Sequence, residues 1–343
     1  MPKKYLFIFG GAIGDALLGV HLGRMLSSSI PSSQITLIST RENRFVRDLL
    51  QPISFVHFVE MPKWNPRSWI ILLRLCLYPH YTVFCEPITS STSLWWQFIV
   101  RAATMSKGSI DVRCSSRTHV QQSRERIVAY DCRTDHMFDL MPRVLKQWGI
   151  TSAVLLPQLE PYLYQNTSIK VSKPYLVFHF FAPSMKRSFP VSKGRELLFA
   201  AREAFPSHQM ILTCTTKELP HAKRMAENID SEILCDLPAP DVVSLIAGAS
   251  AYVGVDTGIT HIACHVGVPC VVFGNNSNPC WLPYYAPHAA ILFELKRCGC
   301  NGNKTGDCFE ETPEGQAYRC LFDIPIKSII VAIENILAAR QSS

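Results

Sequence analysis

No apolar run in this sequence approaches the roughly 18 to 20 residues that a membrane-spanning helix requires, so a chain threaded through a bilayer on helices is not expected. Charge is scarce as well, at 18% of 343 residues, while hydrophobic residues reach 48%. That balance describes a folded globular chain and excludes a disordered one. A second Asp-Thr-Gly is missing. The single copy, Asp256-Thr257-Gly258, therefore lacks the paired aspartates that an acid protease needs to share a proton, and the helical pattern directly after it is wrong for such a site. The sequence also has no complete G-x-G-x-x-G and no acidic residue at the end of its second strand, Ile35 to Ser39, which leaves a dinucleotide fingerprint with little support. The opening stretch, MPKKYLFIFGGAIGD, passes from lysines through apolar residues into a Gly-rich turn where a cleavage site would be needed. It reads as a first strand, not a signal peptide, and cytoplasmic residence is expected.

What is present begins with size: 343 residues suffice for two domains, each with its own core. Thirteen cysteines are an odd number, and Cys76, Cys85, Cys214, Cys264 and Cys270 sit in apolar runs, so buried reduced thiols are the expected state. The net charge of +7 is uneven: residues 1–150 hold 18 Lys and Arg against 10 Asp and Glu, whereas residues 151–343 hold 16 against 17. The first half therefore calls for an acidic partner, either a phosphorylated glycolipid or an anionic membrane surface. Nucleic acid ranks last, because no recognition helix or RNA-binding signature accompanies the charge.

The chain is organised around Tyr252 to Gly274. An apolar strand, Tyr252 to Val255, runs into Asp256-Thr257-Gly258, after which Ile259, Ile262, Ala263 and Val266 recur at helical spacing before a stop at Gly267. A polar turn opening a helix at the carboxyl end of a buried strand offers unpaired N–H groups and the positive end of a helix dipole to an anion such as a diphosphate. Thr257 and His261 add a hydroxyl and an imidazole. The alternative is a plain N-cap. Earlier in the chain, Tyr5 to Phe9 is a strand, Gly10 to Asp15 a Gly-rich turn in which Gly11 and Gly14 let the backbone bend, and the residues from Ala16 a helix. Asp15 then sits at the helix start, either facing the crevice above the strand ends or simply balancing the helix dipole. Strands at 55–59 and 82–85 and helices at 41–50 and 68–77 continue the alternation, which argues for a parallel doubly wound sheet. Trp64 to Tyr78 and the cluster Trp95, Trp96 and Phe98 fit core packing or a membrane-facing groove. Residues 151–172 read as a linker. The pattern then restarts: strands at 175–180, 210–214 and 232–235 and helices at 194–205, 220–228 and 241–247 make a second βα domain. Two such domains facing across a cleft would bind one substrate each.

Three motifs in this order, GAIGDALL, MKRSFP and VGVDTGITHIA with GVPCVVFG behind it, resemble glycosyltransferase family 9, the bacterial heptosyltransferases of lipopolysaccharide assembly. The resemblance implies an α/β GT-B fold of two Rossmann-like domains: residues 1–150 for the acceptor, a linker at 151–172, residues 173–324 for the nucleotide-sugar donor, and a closing helix within 325–343. It implies an inverting, metal-independent transfer of a heptose or related sugar from an ADP-sugar or other nucleotide-sugar to a glycan hydroxyl. By position, Asp15 matches the general base, and Asp256, Thr257, Gly258 and His261 match the donor-binding turn. The family's phosphate-binding lysine falls at Arg187, three residues before Pro190, with Lys186 beside it; either residue can supply the charge, although Arg and Lys are not equivalent there. Glu218 resembles a glutamate near the nucleoside. Phe9 stands where inner-core enzymes carry Lys or Arg, which leaves the acceptor open: another glycan, or a protein of the autotransporter kind. A non-catalytic nucleotide-sugar-binding protein is the rival outside enzymes, and an epimerase on the same fold the rival within them.

Cys298, Cys300, Cys308 and Cys320 form C-x-C-x7-C-x11-C in a Gly- and Asn-rich loop. Four thiols can hold a structural Zn or Fe, yet C-x-C is tighter than the usual spacing, so reduced thiols are the other reading. No cofactor is expected to take part in transfer itself. Contact of the basic half with the inner face of the cytoplasmic membrane is the remaining partner expectation.

Overall fold

The computed structural model describes residues 3–61, 65–76, 80–85, 108–114, 126–130, 135–152, 155–164, 169, 171, 173–273, 280, 282, 289–292, 309–313 and 315–341. The chain divides into two compact units, Met1–Leu155 and Leu156–Ser343.

In the first unit the strands are β1 (Lys4–Phe9), β2 (Gln34–Ser39), β3 (Val56–Glu60), β4 (Tyr81–Cys85), β5 (Gly108–Cys114) and β6 (Arg126–Tyr130). They pair in parallel in the order β3-β2-β1-β4-β5-β6. That order places the switch point, where the winding reverses, between β1 and β4. Tyr5 to Phe9 in β1 are all buried, as a strand covered on both faces must be. Helix α1 (Ile13–Ser29) packs beside them, burying Leu17, Leu18, Leu22 and Leu26. Helices α2 (Arg44–Leu50), α3 (Pro66–Cys76) and α4 (Leu140–Gln147) follow.

The second unit repeats the plan. Its strands β7 (Tyr175–His179), β8 (Gln209–Cys214), β9 (Ser231–Cys235), β10 (Ala251–Val255), β11 (Cys270–Phe273) and β12 (Ala289–Leu292) run parallel in the order β12-β11-β10-β7-β8-β9, with the switch point between β7 and β10. The helices are α5 (Val191–Ala204), α6 (Leu219–Ala226), α7 (Ala239–Ala247), α8 (Gly258–Val266), the short α9 (Arg319–Phe322) and α10 (Ile326–Gln341). Gly267 ends α8 in the left-handed conformation at φ 83°, as a glycine stop should. Helix α10 sends Ile329, Ile333 and Ile336 into the core under the sheet, and Arg340 donates to the carbonyls of Ala249 (2.8 Å) and Ser250 (3.0 Å).

Several sequence expectations change. The division between the units falls within 151–172, and part of that stretch has structure of its own: a 3-10 turn spans Pro161–Tyr164, Tyr164 is buried, and Leu159 N–H donates to His265 O at 2.8 Å within the second unit. Trp69, Ile70 and Leu73 of α3 are 52%, 55% and 70% exposed, so core packing does not describe them. Trp64, Tyr78, Trp95, Trp96 and Phe98 lie outside the described residues. No helix among the described residues is long and apolar enough to cross a membrane.

Candidate active site

In the first unit the turn after β1 is shaped by Gly11, whose φ of +90° a side chain would strain. A Cβ there would stand 2.8 Å from Ser39 Oγ and 3.1 Å from Arg41 Cβ, so the glycine lets the turn close against the end of β2. Gly14, by contrast, lies inside α1 with ordinary helical geometry. The neighbouring loop is tied down around it. Ser39 Oγ donates to Arg41 O at 2.6 Å and accepts from Arg41 N at 3.2 Å, Asn43 Nδ2 donates to Gly11 O at 3.0 Å, and Asn43 N donates to Glu60 Oε1 at 2.8 Å. Arg47 in turn closes on Glu60 Oε2.

Asp15 is the third residue of α1 and is 6% exposed. Burial raises its pKa to about 7, and the guanidinium of Arg41 draws it partly back down. A carboxyl poised near neutrality takes and returns protons efficiently at physiological pH. Arg41 escaped the sequence reading, because its approach to Asp15 depends on β2 lying beside β1.

In the second unit Arg187 and Asp256 come together at the switch point. Arg187 follows β7 on a 3-10 turn, Met185–Arg187, and this loop is anchored from below. Phe189 N–H donates to Phe180 O at 2.8 Å, Ala182 N–H donates to Ser188 Oγ at 2.9 Å, and the Phe189 ring packs on Phe180 and Phe273 with centroids 5.5 and 4.9 Å apart. The Arg187 guanidinium then reaches Asp256, donating from Nη2 to the backbone O at 3.0 Å and to Oδ2 at 3.4 Å. The Asp256 side chain is 13% exposed. Burial raises its pKa and Arg187 opposes the rise.

Thr257 occupies the N-cap of α8 in an extended conformation, but its hydroxyl makes no capping bond. Thr257 Oγ1 lies near the Tyr252 hydroxyl without a hydrogen bond of ordinary geometry, and both Thr257 Oγ1 and Arg187 Nε are buried without a hydrogen-bond partner among the described residues. Two buried polar atoms without partners beside an uncapped helix start make a polar turn with the chemistry to accept an anion. Thr260, one turn on, is spent locally: its Oγ1 donates to Val255 O and lies 3.0 Å from the Tyr252 hydroxyl. His261 is buried in the same turn.

The other sequence candidates separate. Lys186 is exposed, and it is Arg187 that meets Asp256. Glu218 sits before α6 with Oε2 accepting Thr215 N–H at 2.9 Å, which orders its own loop. His179, at the end of β7, was not foreseen. Its Nδ1 lies 3.0 Å from Thr213 Oγ1 and 3.2 Å from Thr213 O, and burial lowers its pKa to about 4, keeping the ring neutral next to the switch point. Cys298, Cys300 and Cys308 lie outside the described residues, whereas Cys320 is buried in α9. Among the described residues no group of His, Cys, Asp or Glu could hold a metal ion.

Comparison with solved structures places this architecture. E. coli ADP-heptose LPS heptosyltransferase II aligns at a TM-score of 0.71 with 18% identity, covering 99% of each chain. E. coli heptosyltransferase WaaC, solved with ADP, aligns at 0.69 with 15% identity over 97% of this chain and 100% of its own. The iron-containing dodecameric glycosyltransferase TibC from enterotoxigenic E. coli aligns at 0.59 with 14% identity, over 100% of this chain and 77% of its own. These likenesses show the GT-B fold. A search of curated protein sequences gave no match. The profile of glycosyltransferase family 9 (heptosyltransferase) matches residues 136–307, half of the chain, taking in both the Arg187 loop and the Asp256 turn. The chain belongs to glycosyltransferase family 9, the heptosyltransferase family.

Proposed function

We propose that the chain transfers a heptose or a related sugar from an ADP-sugar to an acceptor hydroxyl with inversion at the anomeric carbon, in lipopolysaccharide core or other surface-glycan assembly. The observation that carries this reading is the pair of orphaned polar atoms, Thr257 Oγ1 and Arg187 Nε, beside the uncapped start of α8. Residues 173–324 bind the donor in this reading, and residues 1–150 bind the acceptor. The diphosphate lies at the amino end of α8, where Gly258 and the residues after it supply N–H donors and Arg187 supplies charge. Asp256 fixes the guanidinium through its carbonyl and Oδ2, and its remaining acceptor capacity suits the sugar hydroxyls. His261 backs the turn, Lys186 adds positive charge at its exposed edge, and Glu218 orders the loop after β8, to which the nucleoside end of the donor is assigned.

The chemistry then needs a base. As the acceptor oxygen attacks the anomeric carbon, its proton passes to the Asp15 carboxylate and the bond from that carbon to the diphosphate breaks, ADP leaving with the electron pair. Proton removal of this kind contributes about 10²- to 10⁴-fold. The charge growing on the leaving diphosphate meets Arg187 and the α8 dipole, which are already in place when it develops. The reaction so drawn uses no cofactor, and any metal at the four cysteines is structural. The enzyme works in the cytoplasm on a phosphorylated glycolipid or other glycan.

The test is thermal stabilisation by ADP, UDP, GDP and CMP, with and without attached sugars, on the natural chain and on Asp256→Ala. Ligand at 100 times its dissociation constant adds about 2.7 kcal/mol of stability. Selective stabilisation by ADP or an ADP-sugar that disappears in Asp256→Ala supports the reading. If no nucleotide stabilises the chain, the Asp256 turn is only a helix start.

A further inference from the structure

Most large apolar side chains exposed on the described surface stand singly: Leu156, Tyr162, Phe199 and Val331 are scattered through the second unit, as on any soluble domain. Helix α3 is different. Trp69, Ile70 and Leu73 occupy positions i, i+1 and i+4 of a single helix, so they share one outward stripe. The other side of the helix is already satisfied, with Ser68 and Leu72 only 3% and 5% exposed. The outward stripe is therefore not a core face that failed to find its core; it is a second apolar face. The helix start is fixed by Asn65, whose Oδ1 accepts Arg67 N–H at 2.9 Å, and Arg67 stands exposed in the first turn beside the stripe.

Charge decides what covers such a face. Residues 1–150 carry 18 Lys and Arg against 10 Asp and Glu, so a second copy of the unit would meet it with repulsion, whereas an anionic surface is drawn to it. At 11 residues α3 is far too short to span a bilayer, but Trp, aliphatic and Arg residues at this spacing suit a helix lying in the interface plane. We propose that the outward face of α3 docks on an anionic lipid bilayer, with Trp69 at the headgroup level and Ile70 and Leu73 in the acyl boundary. Three side chains make a shallow anchor, so the attraction between the basic unit and acidic lipid is needed to complete it. The inference stands apart from sugar transfer, and its test reads binding alone. If the donor reading also holds, docking would bring the acceptor-binding unit to a lipid-anchored glycan.

The test is cosedimentation of the full chain with phosphatidylcholine vesicles, with and without phosphatidylglycerol, at low and high salt. The expected result is binding to the phosphatidylglycerol vesicles that weakens with salt. The triple variant Trp69→Ser, Ile70→Ser, Leu73→Ser should bind at least roughly tenfold more weakly while keeping the circular dichroism of the natural chain and a cooperative unfolding transition, because the three side chains are more than half exposed. Equal binding by the triple variant overturns the proposal, and so does failure of the natural chain to bind acidic vesicles. A concentration-dependent dimer that the triple variant abolishes overturns it too, since the stripe would then be a self-interface.

Discussion

Replacing Asp15 by Asn should stabilise the protein increasingly as the pH rises. The two side chains have nearly the same volume, and only Asp ionises. In the folded chain the Asp15 carboxyl is raised from its ordinary value of 3.8 to about 7 by burial. Below about pH 4 both the folded and unfolded chains hold this proton, so the contribution of the group to stability is at its fullest. Between there and neutrality the unfolded chain releases the proton first, and stability falls as the pH climbs, levelling off once the pH passes the folded pKa. At roughly 1.4 kcal/mol for each pH step of one, the gap amounts to about 4 kcal/mol lost by pH 8. The Asn variant has no such slope. Urea unfolding of both proteins across this range, followed by tryptophan emission, measures the difference. The probe is well placed, because Trp281 is the only one of six tryptophans outside Met1–Leu155. The stability of Asp15→Asn minus that of the natural chain should grow by about 4 kcal/mol from pH 4 to pH 8. A difference that stays flat with pH would refute the buried, near-neutral carboxyl. Arg41→Ala provides a check on sign: it removes the charge that pulls the pKa down, so the falling part of the natural curve should extend to higher pH.

Arg187→Lys keeps a charge but loses the fork that spans Asp256 and an anion; nucleotide affinity by calorimetry should fall about tenfold, and further in Arg187→Ala. Undiminished affinity in Arg187→Ala would remove Arg187 from the donor site. Gly11→Ala forces a Cβ to within 2.8 Å of Ser39 Oγ at φ +90° and should lower stability by about 1–3 kcal/mol in a denaturant titration, whereas Gly14→Ala, inside α1, should not. If Cys298, Cys300, Cys308 and Cys320 hold a structural metal, elemental analysis of the purified full chain will return about one equivalent of Zn or Fe; a value well below that ends the idea.

Much of the fold was legible because its central strands are apolar throughout, as strands buried on both faces must be. Tyr5 to Phe9 and Tyr252 to Val255 could be placed to within a residue of the observed β1 and β10. The strands at the edge of the first sheet were not. Gly108–Cys114 does alternate, with Ile110, Val112 and Cys114 apolar and Ser109, Asp111 and Arg113 polar, a strand signal that was passed over; Arg126–Tyr130 is a short apolar run that period alone cannot tell from a helix segment, and helix α4 contains Pro142. Helix starts also slipped: α5 begins at Val191, directly after Pro190, three residues before the expected Gly194. In the candidate site, residues adjacent in sequence were readable, namely Asp15 in its turn and Asp256 to Gly258 in theirs. Their partners belong to other strands. Arg41 reaches Asp15 from the end of β2, and His179 meets Thr213 only because β7 pairs with β8. That Arg187, rather than Lys186, meets Asp256 follows from Phe189, whose burial beneath the loop fixes its path. Contacts made through sheet order leave no mark on local spacing.

The proposed transfer with Asp15 as the base is open to one decisive assay: acceptor-dependent release of ADP from an ADP-heptose across pH, for the natural chain and Asp15→Asn. The rate should rise with pH to a plateau above about 7, and the variant should lose at least roughly 10²-fold in rate with ADP affinity unchanged. A variant as active as the natural chain, or a rate indifferent to pH through this range, would contradict it.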